Sequence, residues 1–275
     1  MPEFLIPVVE WLSPLWESPA SFFNFDFLPK YWFYFRQGIV YTLLLSVVSV
    51  ILAVIPALVL ALMRLSKSKF LRGLSGAYIA IFRSTPLMVQ LSIVYFGLFS
   101  AIQIPNVTLF GFLKLSMFIP CVTALALNSS AYVAEIFRAG ILAVDAGQTE
   151  AARSLGLSAW QSMRLVVLPQ AIKNILPTLA NELVTMVKES SICSVIGVYD
   201  LMWGAKTVIT NSYIAVGPLV LAAIIYFCIN FPASKAIESG MDAEQLLKAV
   251  LSEFEVEVLE KRPIEYRCYC SRDRV

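Results

Sequence analysis

Long apolar runs, each about the length of a membrane-spanning helix, dominate the hydrophobic pattern of the first 236 residues. About 20 consecutive apolar residues in a helix cross the hydrocarbon core of a bilayer. Three of the runs are free of charge, whereas the second contains Arg83 and the fourth contains three charged residues. From these runs we predict five transmembrane helices, at 38–63, 77–100, 115–134, 175–198 and 212–231.

The basic residues between the runs predict how the chain is oriented. Cytoplasmic loops of membrane proteins carry an excess of Lys and Arg. The segment 64–76 holds four basic residues and no acidic one, and the loop 138–173 holds more basic than acidic residues. We therefore expect both in the cytoplasm, with the N-terminus outside the membrane and the C-terminus inside. The aromatic-rich residues 1–36 are expected at the outer headgroup level, where Trp and Tyr concentrate.

The composition agrees with a membrane protein and excludes several classes of chemistry. Of the 275 residues 59% are hydrophobic and 15% are charged, whereas soluble domains contain about 25% charged residues. The chain has no histidine, which excludes a His-based catalytic triad and a His-ligated metal. It has no Gly-x4-Gly-Lys-Ser/Thr loop, which excludes nucleotide binding of the P-loop type. The net charge of +2, with basic residues in short clusters, argues against binding of nucleic acid.

The loop 138–173 contains the strongest local signals in the chain. Residues 145–148 form a capping-box pattern that opens a helix expected over about 146–155. Gly156 ends it, because glycine adopts the left-handed conformation without steric cost. A second capping box at 158–161 opens another helix. The sequence therefore predicts two short helices joined by a sharp glycine turn, and on these local signals alone an ordinary structured loop stays open as the alternative.

The same loop contains the pattern Glu150-Ala151-Ala152-x3-Gly156-x9-Val166-x-Leu168-Pro169. This pattern resembles the EAA signature of the integral membrane permeases of ATP-binding-cassette (ABC) importers, with Val at a position where Ile is commoner. Three other stretches, 82–90, 131–140 and 187–191, resemble the polar amino acid subfamily of those permeases. The resemblance covers about residues 25–235.

The resemblance implies an all-α membrane protein with the type I fold of ABC importer permeases, formed by a permease domain at 37–235. In that family the EAA loop docks on a separate ATPase subunit, which binds ATP and Mg²⁺. The resemblance therefore implies that this chain is not an enzyme and holds no cofactor of its own. The residues that would couple it to the ATPase are Glu150, Ala151, Ala152, Gly156, Leu168 and Pro169.

The function implied by the resemblance is uptake of polar amino acids by alternating access across the bacterial plasma (inner) membrane. The expected partners are an ATPase dimer, an extracytoplasmic solute-binding protein, a second copy of this permease or a related permease, and membrane lipid. The sequence decides neither which amino acid is carried nor whether the permease pair is a homodimer. An ion-gradient-driven secondary transporter or channel is the alternative, which the lack of inverted repeats in the sequence disfavours.

Polar residues inside the predicted spans are the candidates for contact with the solute, because ionisable groups in a bilayer are costly and mark functional paths. The candidates are Gln90, Asn128, Tyr132, Glu182, Thr185 and Glu189. Structural roles remain open for them: Glu135 beside Arg138 suits an ion pair or a helix cap, and Glu182 suits a contact between subunits. Arg83 is expected to extend toward the cytoplasmic headgroups.

After residue 236 the chain becomes densely charged, and about residues 238–275 resemble part of a redox-regulated heat-shock chaperone with a four-thiolate zinc centre. Cys268 and Cys270 match its first Cys-x-Cys pair, but the partner Cys-x-x-Cys is absent. Two thiolates are half of a tetrahedral zinc site, so no metal is expected. The preferred explanation of the soluble, non-native-looking tail 236–275 is a fused or misjoined reading frame. A regulatory appendage and a zinc ion shared by two tails remain alternatives.

Overall fold

A computed structural model describes residues 25–238, apart from 103, 106, 110 and 111. Most of the N-terminal segment 1–36 and nearly all of the tail 236–275, with Cys268 and Cys270, lie outside the described residues. The helices are α1 (Leu28–Leu65), α2 (Lys69–Ser84), α3 (Leu87–Ser92), α4 (Leu115–Leu142), α5 (Ala146–Ser154), α6 (Ala159–Ser162), α7 (Leu168–Glu189), α8 (Leu201–Ser212) and α9 (Gly217–Glu238).

Shorter elements extend or connect these helices. π-helical turns continue α3 at Ile93–Leu98 and join α6 to α7 at Met163–Val167, and 3₁₀ turns continue α7 at Ser190–Ile196. Before α4, strands β1 (Thr108–Leu109) and β2 (Leu113–Lys114) pair in antiparallel orientation. The helices therefore account for nearly all of the regular structure in the described part of the chain.

Several helices have the length and composition of membrane spans. Among the described residues, α1, α4 and α9 are each long and apolar enough to cross a bilayer. Two bent pairs raise the number to five: α2 with α3 and its π turns, bent by 105°, and α6–α7 with α8, bent by 46°. This architecture agrees with the predicted all-α membrane class and its five or so spans.

The second predicted span, 77–100, differs from the structure because its helix breaks in the middle. α2 ends at Ser84, and the two residues that follow, Thr85 and Pro86, have extended backbone. Proline disfavours the helical conformation of the residue before it, so the chain turns before α3 begins. Arg83, Ser84, Thr85 and Pro86 interrupt the apolar run at this turn, but the prediction of one span over 77–100 does not include a break.

The centre of the bundle is the contact between α1 and α4, and α7 packs against both of these helices. α1 presents buried small residues at helical spacing, among them Ser49, Ala53, Ala57 and Ala61. Small side chains allow membrane helices to approach closely. α9 packs against α7 and α8.

A second close approach joins α1 to α8 through two glycines. A Cβ atom on Gly38 would lie 2.6 Å from the Cα of Leu201, and one on Gly204 would lie 2.9 Å from the carbonyl oxygen of Tyr34. Real Cβ atoms do not approach other atoms so closely. The absence of both side chains therefore sets the distance between these helices.

Candidate functional site

A cleft of about 450 Å³ lies between α4 and α7, with the end of α2 at its edge. Its polar lining residues are Arg83, Tyr132, Glu135, Asn174, Thr178 and Glu182. A guanidinium group and two carboxylates thus line one cavity. Such an arrangement suits a small ligand that carries both an ammonium group and a carboxylate, since each charge meets an opposite one.

Glu182 enters the cleft from α7 and is fixed by α4. Ser129 Oγ donates a hydrogen bond to Glu182 Oε1 at 2.8 Å. Ser129 is fully buried and Glu182 is 9% exposed. A carboxylate at such a depth needs hydrogen bonds, and the Ser129 hydroxyl holds it in one orientation toward the cleft.

Glu135 links the end of α4 to the end of α1. Arg138 Nε donates to Glu135 Oε2 at 2.8 Å, and Arg64 Nε lies 3.7 Å from Glu135 Oε1. The structure therefore shows the ion pair that the sequence leaves open as the structural role of Glu135. The carboxylate also lines the cleft. Glu135 therefore takes part both in the contact between α1 and α4 and in the cleft.

Arg83, which is expected to extend toward the headgroups, is exposed and lies at the edge of the cleft. Its guanidinium carbon is 5.4 Å from the centroid of the Tyr132 ring, which is the geometry of a cation–π contact. Tyr132 itself also lines the cleft. The ring therefore stabilises the guanidinium group at the cleft.

Gln90 and Asn128 form a buried pair beside the break between α2 and α3. Asn128 Nδ2 donates to Gln90 Oε1 at 2.8 Å. Gln90 Nε2 donates to the carbonyl oxygens of Phe82 at 2.8 Å and Thr85 at 3.0 Å. The two amides thus hold the turn that precedes α3, and neither belongs to the lining of the cleft.

α7 carries a polar stripe that the sequence prediction recognised only in part. Thr185 and Glu189 are half-buried one and two turns beyond Glu182. Asn174, Thr178 and Asn181 are exposed on the same helix and were not predicted. The available signal was their spacing of three and four residues, which places them on one helical face. The missed Ser129 gave no comparable signal, because serine is common in membrane helices.

The segment after α4 folds as the predicted pair of short helices with a glycine turn. Gly156 has a φ of +84°. Ser158 Oγ accepts from Gln161 N at 3.2 Å, and Gln161 Oε1 accepts from Ser158 N at 2.8 Å, which completes the second capping box. We call α5, Gly156 and α6 the coupling hairpin.

Only one of the two hydrogen bonds of the first capping box forms. Asp145 Oδ1 accepts from Gly147 N at 2.7 Å, as a capping residue does. The side chain of Gln148 does not return to the backbone of Asp145 but accepts from Gln170 Nε2 at 3.3 Å. Gln148 therefore ties the coupling hairpin to α7, a contact between distant residues that a local pattern does not contain.

The coupling hairpin presents apolar side chains to its surroundings. Leu155 is 77% exposed and Trp160 is 70% exposed, and exposed apolar patches on a polar segment mark contact surfaces. Of the predicted coupling residues, Glu150, Ala151, Gly156 and Leu168 are exposed, Pro169 is half-buried and Ala152 is buried. Ala152 therefore packs inside the hairpin.

The chain matches known proteins over most of its length. The family model described as binding-protein-dependent transport system inner membrane component matches residues 50–236. The chain is 41% identical over 224 residues to the putative glutamine transport system permease protein GlnP of Rickettsia conorii, covering 79% of this chain and 98% of the relative. It is 44% identical over 191 residues to the arginine transport system permease protein ArtQ of Bacillus subtilis, covering 70% and 83%.

Solved structures match the same part of the chain. The crystal structure of an amino acid ABC transporter with histidines superposes with a TM-score of 0.70 at 44% identity, over 78% of this chain and 97% of that one. An inward facing conformation of the MetNI methionine ABC transporter superposes with a TM-score of 0.58 at 21% identity, over 78% and 99%, a likeness of fold. A second family model, Hsp33 protein, matches residues 229–275, in agreement with the predicted chaperone-like fragment.

Proposed function

Because the chain belongs to the family of inner membrane components of binding-protein-dependent transport systems, with the type I fold of ABC importer permeases, we propose that it moves polar amino acids into the cytoplasm by alternating access. A separate ATPase supplies the energy, and ATP with Mg²⁺ binds there. The permease provides the path and the mechanical link, in the bacterial plasma membrane.

The cleft between α4 and α7 is the observation that supports this substrate class. An amino acid carries an α-carboxylate and an α-ammonium group, and the cleft offers Arg83 to the first and Glu182 to the second. Each charged group is held from behind, Arg83 by the Tyr132 ring and Glu182 by Ser129. Pre-oriented groups lose less entropy when a ligand binds, so the pair can recognise the backbone of an amino acid.

The polar stripe of α7 extends the path beyond the cleft. Lipid disfavours polar side chains such as Asn181, Thr185 and Glu189 on a spanning helix. We place this face against water and a second permease, which is another copy or a related chain. Gln90 and Asn128 then act indirectly, since they fix the turn that follows Arg83.

The coupling hairpin is the proposed docking element for the ATPase dimer. Glu150, Ala151 and the exposed Leu155 and Trp160 would meet the ATPase. Ala152 would pack within the hairpin and Gly156 would form its turn, while Leu168 and Pro169 would begin α7 behind it. Trp is enriched among residues that contribute most to protein interfaces. Movement of the hairpin would pass directly to α7, because α6 continues through π turns into that helix.

The proposed docking of the ATPase on the coupling hairpin also sets the orientation of the chain in the membrane. The basic segments 64–76 and 138–173 lie in the cytoplasm with the ATPase, and the C-terminus lies on that side. The N-terminus and the β1–β2 hairpin lie outside, on the side of the solute-binding protein. An ion-gradient-driven transporter does not dock an ATPase and needs no exposed contact surface such as Leu155 and Trp160. We therefore do not favour that alternative.

Uptake by vesicles that contain the permease, its ATPase and its binding protein tests the proposal, with glutamine, arginine and histidine offered in turn. Glu182→Gln and Arg83→Gln are each expected to lower uptake at least tenfold and to leave stimulated ATP hydrolysis intact. Arg36→Gln is the matched control for Arg83→Gln, since Arg36 also lies over an aromatic ring, that of Phe33, but is near the start of α1 and outside the lining of the cleft. Unchanged uptake in both cleft variants would exclude the cleft as the solute site.

A further inference from the structure

The connection between α1 and α2 concentrates positive charge at the end of a spanning helix. Arg64, Lys67, Lys69 and Arg72 lie within residues 64–74, which we call the elbow, and the segment 64–76 contains no acidic residue. α1 ends at Leu65, so the elbow lies where a spanning helix leaves the hydrocarbon core. Phospholipid headgroups occupy that level of the membrane.

Three of these cations have no acidic partner in the part of the chain that the structure describes. Arg64 reaches Glu135, whereas no ion pair joins Lys67, Lys69 or Arg72 to a described acidic side chain. All three residues are exposed. Their charge is therefore available to a partner outside the chain.

An apolar stripe lies beside the cations. Phe70 is 75% exposed, and Leu74, Ala77 and Ile81 follow it at spacings of four, three and four residues, which places all four on one helical face. The opposite face is buried at Ser75 and Ile79. An apolar face exposed next to Lys and Arg is typical of helices that lie in the membrane interface.

We propose that the elbow binds the anionic headgroups of phospholipids in its own leaflet, with Phe70 and Leu74 inserted among the upper acyl chains. Each cation close to an anionic membrane surface strengthens binding about fivefold, so three of them contribute about a hundredfold. This lipid layer would hold the end of α1, from which Arg64 reaches Glu135 at the edge of the cleft.

Charge complementarity favours lipid over a second copy of the chain on this surface. A symmetric contact between two copies places the same patch on both sides, so the cations of one elbow would face the cations of the other. An anionic lipid surface neutralises the charge and also accepts the apolar stripe. The proposal is independent of the substrate and of the ATPase.

Native mass spectrometry of the purified full-length chain tests the proposal with an equimolar mixture of phosphatidylglycerol and phosphatidylcholine that share the same acyl chains. The wild type should retain phosphatidylglycerol in clear preference. The triple variant Lys67→Gln, Lys69→Gln, Arg72→Gln should lower this preference by up to about a hundredfold. The double variant Lys67→Gln, Lys69→Gln should lower it by up to about 25-fold. The double variant Lys30→Gln, Arg36→Gln, at the other end of α1, is the matched control and should keep the preference.

Further arms separate the possible sources of the signal. High salt, about 1 M, should abolish the preference of the wild type, because it reduces the screening length to about 3 Å; this arm applies even if the triple variant fails to fold. Displacement of phosphatidylglycerol by an equal concentration of inorganic phosphate would overturn the proposal, since the site would then recognise phosphate alone. A preference that survives in the triple variant would overturn the proposal as well. So would a dimer of the wild-type chain that dissociates in Phe70→Ser while the preference for phosphatidylglycerol persists.

Discussion

Ser129 on α4 and Glu182 on α7 are joined by a hydrogen bond of 2.8 Å behind the cleft, although 53 residues separate them in the chain. The bond orients a carboxylate that would otherwise be free to rotate. The position of one of the two charged groups proposed to meet the solute thus depends on a neutral serine.

Ser129→Ala should weaken solute recognition while the carboxylate itself remains. A hydrogen bond to a charged group contributes about 1.5–3 kcal/mol, so KM for uptake should rise about tenfold or more. Uptake at a series of solute concentrations in reconstituted vesicles measures this. Ser46→Ala is the matched control, because Ser46 is equally buried but donates to Thr42 O in its own helix. An unchanged KM for Ser129→Ala would show that the bond does not position Glu182 for the solute.

Gly156→Ala should disturb the coupling hairpin through its backbone alone. The residue has a φ of +84°, and no atom lies within 4 Å of an added Cβ. Alanine in this conformation costs about 1 kcal/mol, so the turn should loosen and ATP-driven uptake should fall severalfold. Gly73→Ala is the control, since Gly73 also has open space around it but lies in the helical conformation of α2. Equal uptake by the two variants would contradict the importance of the turn.

Trp160→Ala should impair docking of the ATPase without lowering the stability of the permease. Trp160 is largely exposed in this chain, and a central interface residue of this type contributes at least about 2 kcal/mol. The dissociation constant of the ATPase should therefore rise about thirtyfold, as measured by binding to the permease in nanodiscs. Trp32→Ala, a half-exposed tryptophan at the start of α1, should leave binding unchanged. The idea fails if Trp160→Ala binds the ATPase as tightly as the wild type.

Gly38→Ala should destabilise the fold at the crossing of α1 and α8. The added methyl group would lie 2.6 Å from Leu201 Cα and 2.9 Å from the carbonyl oxygen of Asp200, so the backbones must separate. Overpacking of this kind costs about 1–3 kcal/mol. The Tm of the purified protein should fall, whereas Gly97→Ala, with one side-chain atom at 4.0 Å, should leave it nearly unchanged. A Tm equal to that of the wild type would contradict this, because α8 would then move away from α1 without loss of stability.

The sequence predicted those features that local chemistry determines. Gly156 ends its helix because no other residue adopts a positive φ so cheaply, and the second capping box forms because its partners are three residues apart. The long apolar runs predicted α1, α4 and α9 because their length matches the bilayer.

Features that depend on distant contacts were not predicted. The break at Thr85 and Pro86 is stabilised by Gln90 and Asn128, and the pairing of these amides requires the packed α4. The local pattern predicts a capping role for Gln148, but its side chain bonds to Gln170 on another helix. Ser129 resembles any other serine of a membrane helix until α7 brings Glu182 to it.

ATP-driven uptake with and without the ATPase subunits tests the central claim most directly. Vesicles that contain the permease and its binding protein should take up no amino acid above background until the ATPase and ATP are added, whatever ion gradient is imposed. Uptake at the full rate without the ATPase, driven by a gradient of protons or sodium ions, would contradict the account.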